Sequence, residues 1–110
     1  MIKINGNDRL GGVFIDCGKY GSDWLAISSC YYLVEKLAER DNLVDYWIIP
    51  LMNPSGYDYT WNNDRLWQKN RQATSSPFCP GVFIDLNYNH LFQSDSNPCS
   101  ITYPGLVTHI

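Results

Sequence analysis

No run of this 110-residue chain is long and apolar enough to cross a bilayer. The longest apolar stretch, around Val44–Met52, is broken by Asp45 and Pro50, and a spanning helix needs roughly 20 residues. The N-terminal Met1-Ile-Lys-Ile-Asn-Gly-Asn-Asp-Arg has no apolar core, so it does not read as a signal peptide. A basic excess is also missing. Eight Lys+Arg against eleven Asp+Glu give a net charge of −3, which argues against nucleic acid as a partner, since phosphate contacts need cations. Glutamate is scarce, two against nine aspartates. There are two histidines, His90 and His109, and neither has a second histidine at metal-ligand spacing. No Cys-x-x-Cys pair is present, so a zinc knuckle or thioredoxin motif is not supported. Asn53-Pro54-Ser55 has proline where a glycosylation sequon forbids it. Internal repeats and low-complexity tracts are absent.

What is present points to a folded chain. Apolar residues make up 45% and charged residues 17%, which excludes disorder. Aromatics reach 15%, and ten asparagines, eight glycines and six prolines favour turns and caps over helix. The expected class is α/β, rich in ordered loops. Four cysteines allow three connectivities. The most local one pairs Cys17 with Cys30 and Cys79 with Cys99, each closing a short loop worth about 3 kcal/mol in the chain-entropy model. Disulfides imply a secretory route. Without them, the cysteines would be reduced in a cytosolic protein.

Val13–Cys17, bounded by Gly12 and Gly18, reads as a buried strand. Ser22 is placed as a helix N-cap with Asp23 in the first turn. Trp24, Ile27, Ser28, Tyr31, Val34 and Ala38 recur at helical spacing, which predicts an amphipathic helix over about 23–39, ended by Asp41-Asn42. Tyr46–Ile49 is a second buried strand, and the three together make a βαβ unit with parallel strands. Asn53-Pro54-Ser55-Gly56 is a turn. Residues 56–76 are aromatic and polar without period and read as an ordered loop or short helical turns. Val82–Leu86 is a third extended segment, and the rest is turn-rich.

In open α/β sheets ligands bind beyond the carboxyl ends of the strands. The loops Gly18–Asp23 and Asn53–Trp61 qualify. The first matches neither a dinucleotide fingerprint nor a P-loop. Asp16 and Asp85 lie in extended runs, where a turn or cap role outweighs a catalytic pair.

Five blocks together carry a family resemblance. Phe14-Ile15-Asp16-Cys17-Gly18-Lys19-Tyr20-Gly21-Ser22-Asp23-Trp24 is similar to the F-I-D-x-G-[IF]-H-A-R-E-W segment of zinc metallocarboxypeptidases of the pancreatic A/B type. Asn53–Trp61 resembles N-x-D-G-Y-x-Y-T-W, and Arg65-Leu66-Trp67-Gln68-Lys69-Asn70-Arg71 resembles N-R-x-W-R-K-x-R. Cys79 with Gly81-Val82 to Asp85-Leu86-Asn87-Tyr88-Asn89 looks like C-x-G-V-D-x-N-R-N. Asn97-Pro98-Cys99-Ser100 with Thr102-Tyr103 looks like S-x-P-C-S-E-T-Y. The resemblance implies a partial carboxypeptidase-like fold over 1–110, incomplete at both ends: a βαβ unit from a twisted mixed sheet, plus long ordered loops. It also implies the pairs Cys17–Cys30 and Cys79–Cys99.

Such enzymes remove the C-terminal residue of a peptide. Zinc activates water, a late glutamate acts as base, and arginines bind the terminal carboxylate and the oxyanion. Carried over residue by residue, the first zinc histidine becomes Tyr20. The zinc glutamate becomes Asp23, a weak candidate ligand, and the neighbouring arginine becomes Ser22. The oxyanion arginine becomes Gln68. The carboxylate-gripping Asn-Arg pair becomes Asn87-Tyr88. Arg65 and Asn87 are the retained substrate-side residues. The expectation is an inactive carboxypeptidase-like fragment or pseudoenzyme that does not bind the family's zinc. Its partner would be a peptide C-terminus, with no nucleic acid and no membrane, and it would be secreted. The alternatives are a fragment of an active secreted zinc carboxypeptidase and a small α/β binding module.

Overall fold

The computed structural model of the protein describes residues 1–7, 11–84 and 95–105. The chain divides into two compact units: Met1–Gly18 with Trp24–Met52, and Lys19–Asp23 with the chain from Asn53 onward.

The first unit is a mixed sheet with one helix. Strands β1 (Ile2–Ile4), β2 (Gly12–Asp16) and β3 (Asp45–Ile49) are ordered β1-β3-β2, with α1 (Trp24–Ala38) between β2 and β3 in the chain. β2 runs parallel to β3 in the register Gly12↔Asp45 to Asp16↔Ile49, which is the expected βαβ unit. β1 pairs antiparallel with β3, Ile2↔Ile48 to Ile4↔Tyr46. Sequence reading had no β1, because three residues are too few to show alternation.

Burial departs from expectation in two places. β2 is an edge strand of the three, so Val13 and Phe14 are 40% and 59% exposed rather than buried, while Ile15 packs on the core. On α1 the buried residues are Ile27, Cys30 and Leu37. Tyr31, Ser28 and Ala38 of the predicted stripe face solvent. The buried face centres on Cys30 because a disulfide ties it to Cys17, and Cys30, Leu37 and Ile48 form the core cluster. The helix starts at Trp24 with no acidic residue in its first turn, so Ser22 is not its N-cap and Asp23 precedes it. Asn42 ends it as expected: its Nδ2 donates to Leu37 O at 2.7 Å and Arg40 O at 3.2 Å, meeting carbonyls the helix leaves open. Gly18 leaves β2 with φ +67°. A Cβ there would sit 2.7 Å from Ile27 Cγ1, so backbone and packing both require glycine.

The second unit holds α2 (Pro54–Asn62), with Asn53 as N-cap and proline in the first turn. The predicted turn at Asn53–Gly56 is therefore a helix start, for the reasons that favour those residue types there. Beyond α2 the described residues form turns and loops. Val82–Ile84 carries no strand, and its backbone bonds are scattered, Asn70 N to Val82 O and Phe83 N to Tyr103 O. Asp85 and Leu86 lie outside the described residues. The Cys79–Cys99 disulfide closes this region. Phe83 and Tyr103 are its buried apolar side chains. Among the described residues no helix is long and apolar enough to cross a membrane.

Candidate functional site

The loop Lys19–Asp23, in the second unit, carries the positions at which the resemblance places zinc. Its backbone is held at each step. Asn53, fully buried, donates from Nδ2 to Lys19 O at 3.1 Å and to Gln68 O at 3.0 Å. Its Oδ1 accepts from Gly56 N at 2.9 Å, which caps α2. Gly21 N donates to Gln68 O at 3.1 Å. Thr60 Oγ1 donates to Gly21 O at 3.4 Å, and Arg65 donates to Ser22 O at 2.8 Å. Gly21 and Gly56 meet backbone to backbone: a Cβ on Gly21 would lie 2.5 Å from the Gly56 carbonyl. Every one of these hydrogen bonds that reaches the loop uses one of its backbone atoms. None uses the side chain of Tyr20, Ser22 or Asp23, so those side chains can change without releasing the loop.

Tyr20 lies against Phe83 with ring centroids 5.2 Å apart. Asp23 is exposed, and its N–H donates to Tyr20 O at 3.1 Å. Arg65 is exposed and joins the loop through Ser22. Gln68 is half-buried, with its carbonyl accepting from both Asn53 and Gly21. Asn87, Tyr88, His90 and His109 lie outside the described residues.

Among the described residues, no three His, Cys, Asp or Glu side chains come together to hold a metal ion. The donors at the loop are a phenol and one short carboxylate. A neutral phenol, with an ordinary pKa of about 10, is a poor zinc ligand. The described residues do not fit the metal that the resemblance implies.

Lys69 was not singled out in the sequence. It is buried, and its Nζ donates to Pro98 O at 2.9 Å and Ser100 O at 3.1 Å. Burial, and then the Arg71 guanidinium, push its pKa below the usual 10.5. Arg71 stacks on Tyr59 at 3.7 Å and Trp67 at 4.5 Å. The sign of the Lys69 shift sets a pH dependence. Below the lowered folded value both folded and unfolded chains carry the proton. As pH rises through the lowered folded value towards 10.5, the unfolded chain binds more protons, so stability rises. Urea midpoints across that window are expected to climb in the native chain relative to Lys69→Met. Parallel profiles would show that Lys69 titrates as it does unfolded. Taking the difference between the two chains removes every contribution they share.

One unit holds a βαβ sheet with the Cys17–Cys30 disulfide, and the other a backbone-pinned loop beside α2 with the Cys79–Cys99 disulfide. A sequence model described as "Zinc carboxypeptidase" matches residues 1–109, and the chain belongs to that family. It is 39% identical over 106 residues to the inactive metallocarboxypeptidase ECM14 of Paracoccidioides brasiliensis (strain Pb03), covering 84% of this chain and 18% of the relative. It is 35% identical over 114 residues to the protein of the same name from Ajellomyces capsulatus (strain H143), covering 92% of this chain and 19% of that one. The chain thus spans less than a fifth of these relatives. Among solved structures it is similar to bovine thrombin-activatable fibrinolysis inhibitor in complex with tick carboxypeptidase inhibitor, with TM-score 0.77, 30% identity, and coverage of 94% of this chain and 37% of that one. Carboxypeptidase A from Helicoverpa armigera gives TM-score 0.76 and 28% identity, covering 91% of this chain and 27% of that one.

Proposed function

We propose that this chain is part of a secreted, carboxypeptidase-like pseudoenzyme that recognises a peptide C-terminus and does not hydrolyse it. One observation carries the reading. The loop Lys19–Asp23 is fastened through backbone atoms while Tyr20, Ser22 and Asp23 replace the family's reacting side chains. A scaffold kept intact around exchanged chemistry fits binding better than turnover. The names of the curated relatives support the same reading. The two disulfides support an extracellular setting.

Arg65 supplies the positive charge that a terminal carboxylate would meet, with Asn87 as its partner by resemblance. Zinc chemistry has no part in this reading, because the donors do not fit.

The test compares a free-acid peptide with its C-terminal amide, titrated into the native protein, with mass spectrometry of the peptide afterwards. The free acid is expected to bind about tenfold tighter, as one lost charge-assisted contact predicts. Arg65→Ala is expected to erase the difference, Arg65→Lys to keep part of it, and the peptide to be recovered uncut. Equal binding of acid and amide, or none of either, would sink the proposal.

A further inference from the structure

The two disulfides sit in different surroundings. Cys30 is 2% exposed and belongs to the core with Leu37 and Ile48, while Cys17 packs against that cluster. Cys99 is exposed and Cys79 half-buried. Both line a cavity of ≈ 300 Å³, together with Asp64, Lys69 and Phe78. Phe78 is 92% exposed, so the cavity opens to solvent beside an apolar rim. Lys69 donates to the carbonyls of Pro98 and Ser100, the residues on either side of Cys99. Lys69 thus lines the same cavity as both cysteines, with its ammonium held at the backbone on either side of Cys99. Asp64, the carboxylate lining that cavity, accepts from Leu66 N at 3.0 Å.

A disulfide exchanges when a thiolate can reach one sulfur and the other can leave as a thiolate. Access favours Cys99 as the attacked sulfur. A nearby cation stabilises both the approaching anion and the departing one. The other pair offers less access, Cys30 being buried and Cys17 partly buried.

We propose that the Cys79–Cys99 disulfide is a site of thiol–disulfide exchange that takes a small anionic thiol from the cavity. The thiolate attacks Cys99 Sγ and forms a mixed disulfide there. The Cys79–Cys99 bond breaks, and Cys79 leaves as a thiolate beside Lys69. A second thiolate attacks the small thiol's sulfur in the mixed disulfide and releases Cys99. Two thiols are oxidised to their own disulfide, the chain gains two electrons, and the two protons the thiols lose go to Cys79 and Cys99. The segment 97–103 then keeps its bonds to Lys69 and the Phe83 N–H to Tyr103 O bond. Reduction loosens that segment without freeing it.

The test incubates the native protein with glutathione, traps free thiols by alkylation at intervals, and maps them by mass. Cys79 and Cys99 are expected to be labelled at least about tenfold faster than Cys17 and Cys30. The run is repeated with cationic cysteamine, both rates being normalised to a small reference disulfide. Glutathione is expected to be the faster, and high salt to remove its advantage. Lys69→Arg is expected to keep that preference, and Lys69→Met to lose it and slow the reaction. Labelling of all four cysteines at one rate, or no preference for the anionic thiol in the native protein, overturns the proposal. So does acceleration by Lys69→Met with both thiols alike, which is what a purely mechanical clamp predicts.

Discussion

Replacing Asn53 by alanine is expected to destabilise the chain by about 3–4 kcal/mol. The side chain is fully buried and makes three hydrogen bonds. Alanine removes the cap of α2, worth about 1 kcal/mol. It also leaves the carbonyl of Lys19 without this donor and takes one of two donors from the carbonyl of Gln68, at about 1–3 kcal/mol for each buried group left unsatisfied. Asn53→Asp separates the two contributions. A carboxylate keeps the acceptor for Gly56 N and loses the donor. Urea midpoints should rank native above Asn53→Asp above Asn53→Ala. An aspartate variant as stable as the native chain would mean that the cap alone matters, and that the loop Lys19–Asp23 is held by its other bonds.

The second large effect concerns the disulfides. Removing Cys17–Cys30 with a pair of serines is expected to cost about 4 kcal/mol. The same change at Cys79–Cys99 is expected to cost less, about 3 kcal/mol. Chain entropy alone predicts the reverse order. The sequence separations are 13 and 20, and the longer loop should gain about 0.4 kcal/mol more. Burial decides against it. Serine at position 30 puts a hydroxyl among Leu37 and Ile48, at a cost of about 1–3 kcal/mol, whereas Cys99 is exposed. Denaturant melts of the two double variants give the ranking directly. Equal losses, or a larger loss at Cys79–Cys99, would show that core packing around Cys30 is looser than described.

How much of this was legible in the sequence depends on the kind of signal each residue carries. The βαβ unit was readable because glycine-bounded apolar runs and a helical period are local. β1 was not, since Ile2–Ile4 is defined by pairing with β3 more than forty residues away. α2 was hidden by its own start signal: Asn53, Pro54, Ser55 and Gly56 are turn formers and also the residues of a capped first helical turn. Gly56 stays in the helix because a Cβ would lie 2.5 Å from Asn53 Nδ2 and from Lys69 O. The exposure of Val13 and Phe14 follows from strand order, which no local pattern contains. At the site, the exchanges that the resemblance implies were legible one by one through the family blocks. Their independence from the loop's anchorage was not, because Asn53, Thr60 and Gln68 reach it across the fold. Nothing local in the sequence marks Lys69 for burial. Its burial is set by Pro98 and Ser100, 29 and 31 residues further on.

The exchanges have a common physical character. By the resemblance, Tyr20, Ser22, Asp23 and Gln68 stand where the family carries a metal ligand, a cation, a longer carboxylate and a second cation. Asn53, Gly56 and Thr60, whose contacts shape the loop, match the family blocks, while Gly21 stands where the block has alanine.

The most direct measurement is zinc stoichiometry and peptidase turnover on the same sample. The natural protein that carries this chain would be stripped with a chelator, titrated with zinc calorimetrically, and then given a peptide with a free C-terminus. No stoichiometric tight zinc binding and no release of the terminal residue above a blank are expected. One zinc bound tightly per chain, with steady release of the terminal residue, would contradict this expectation.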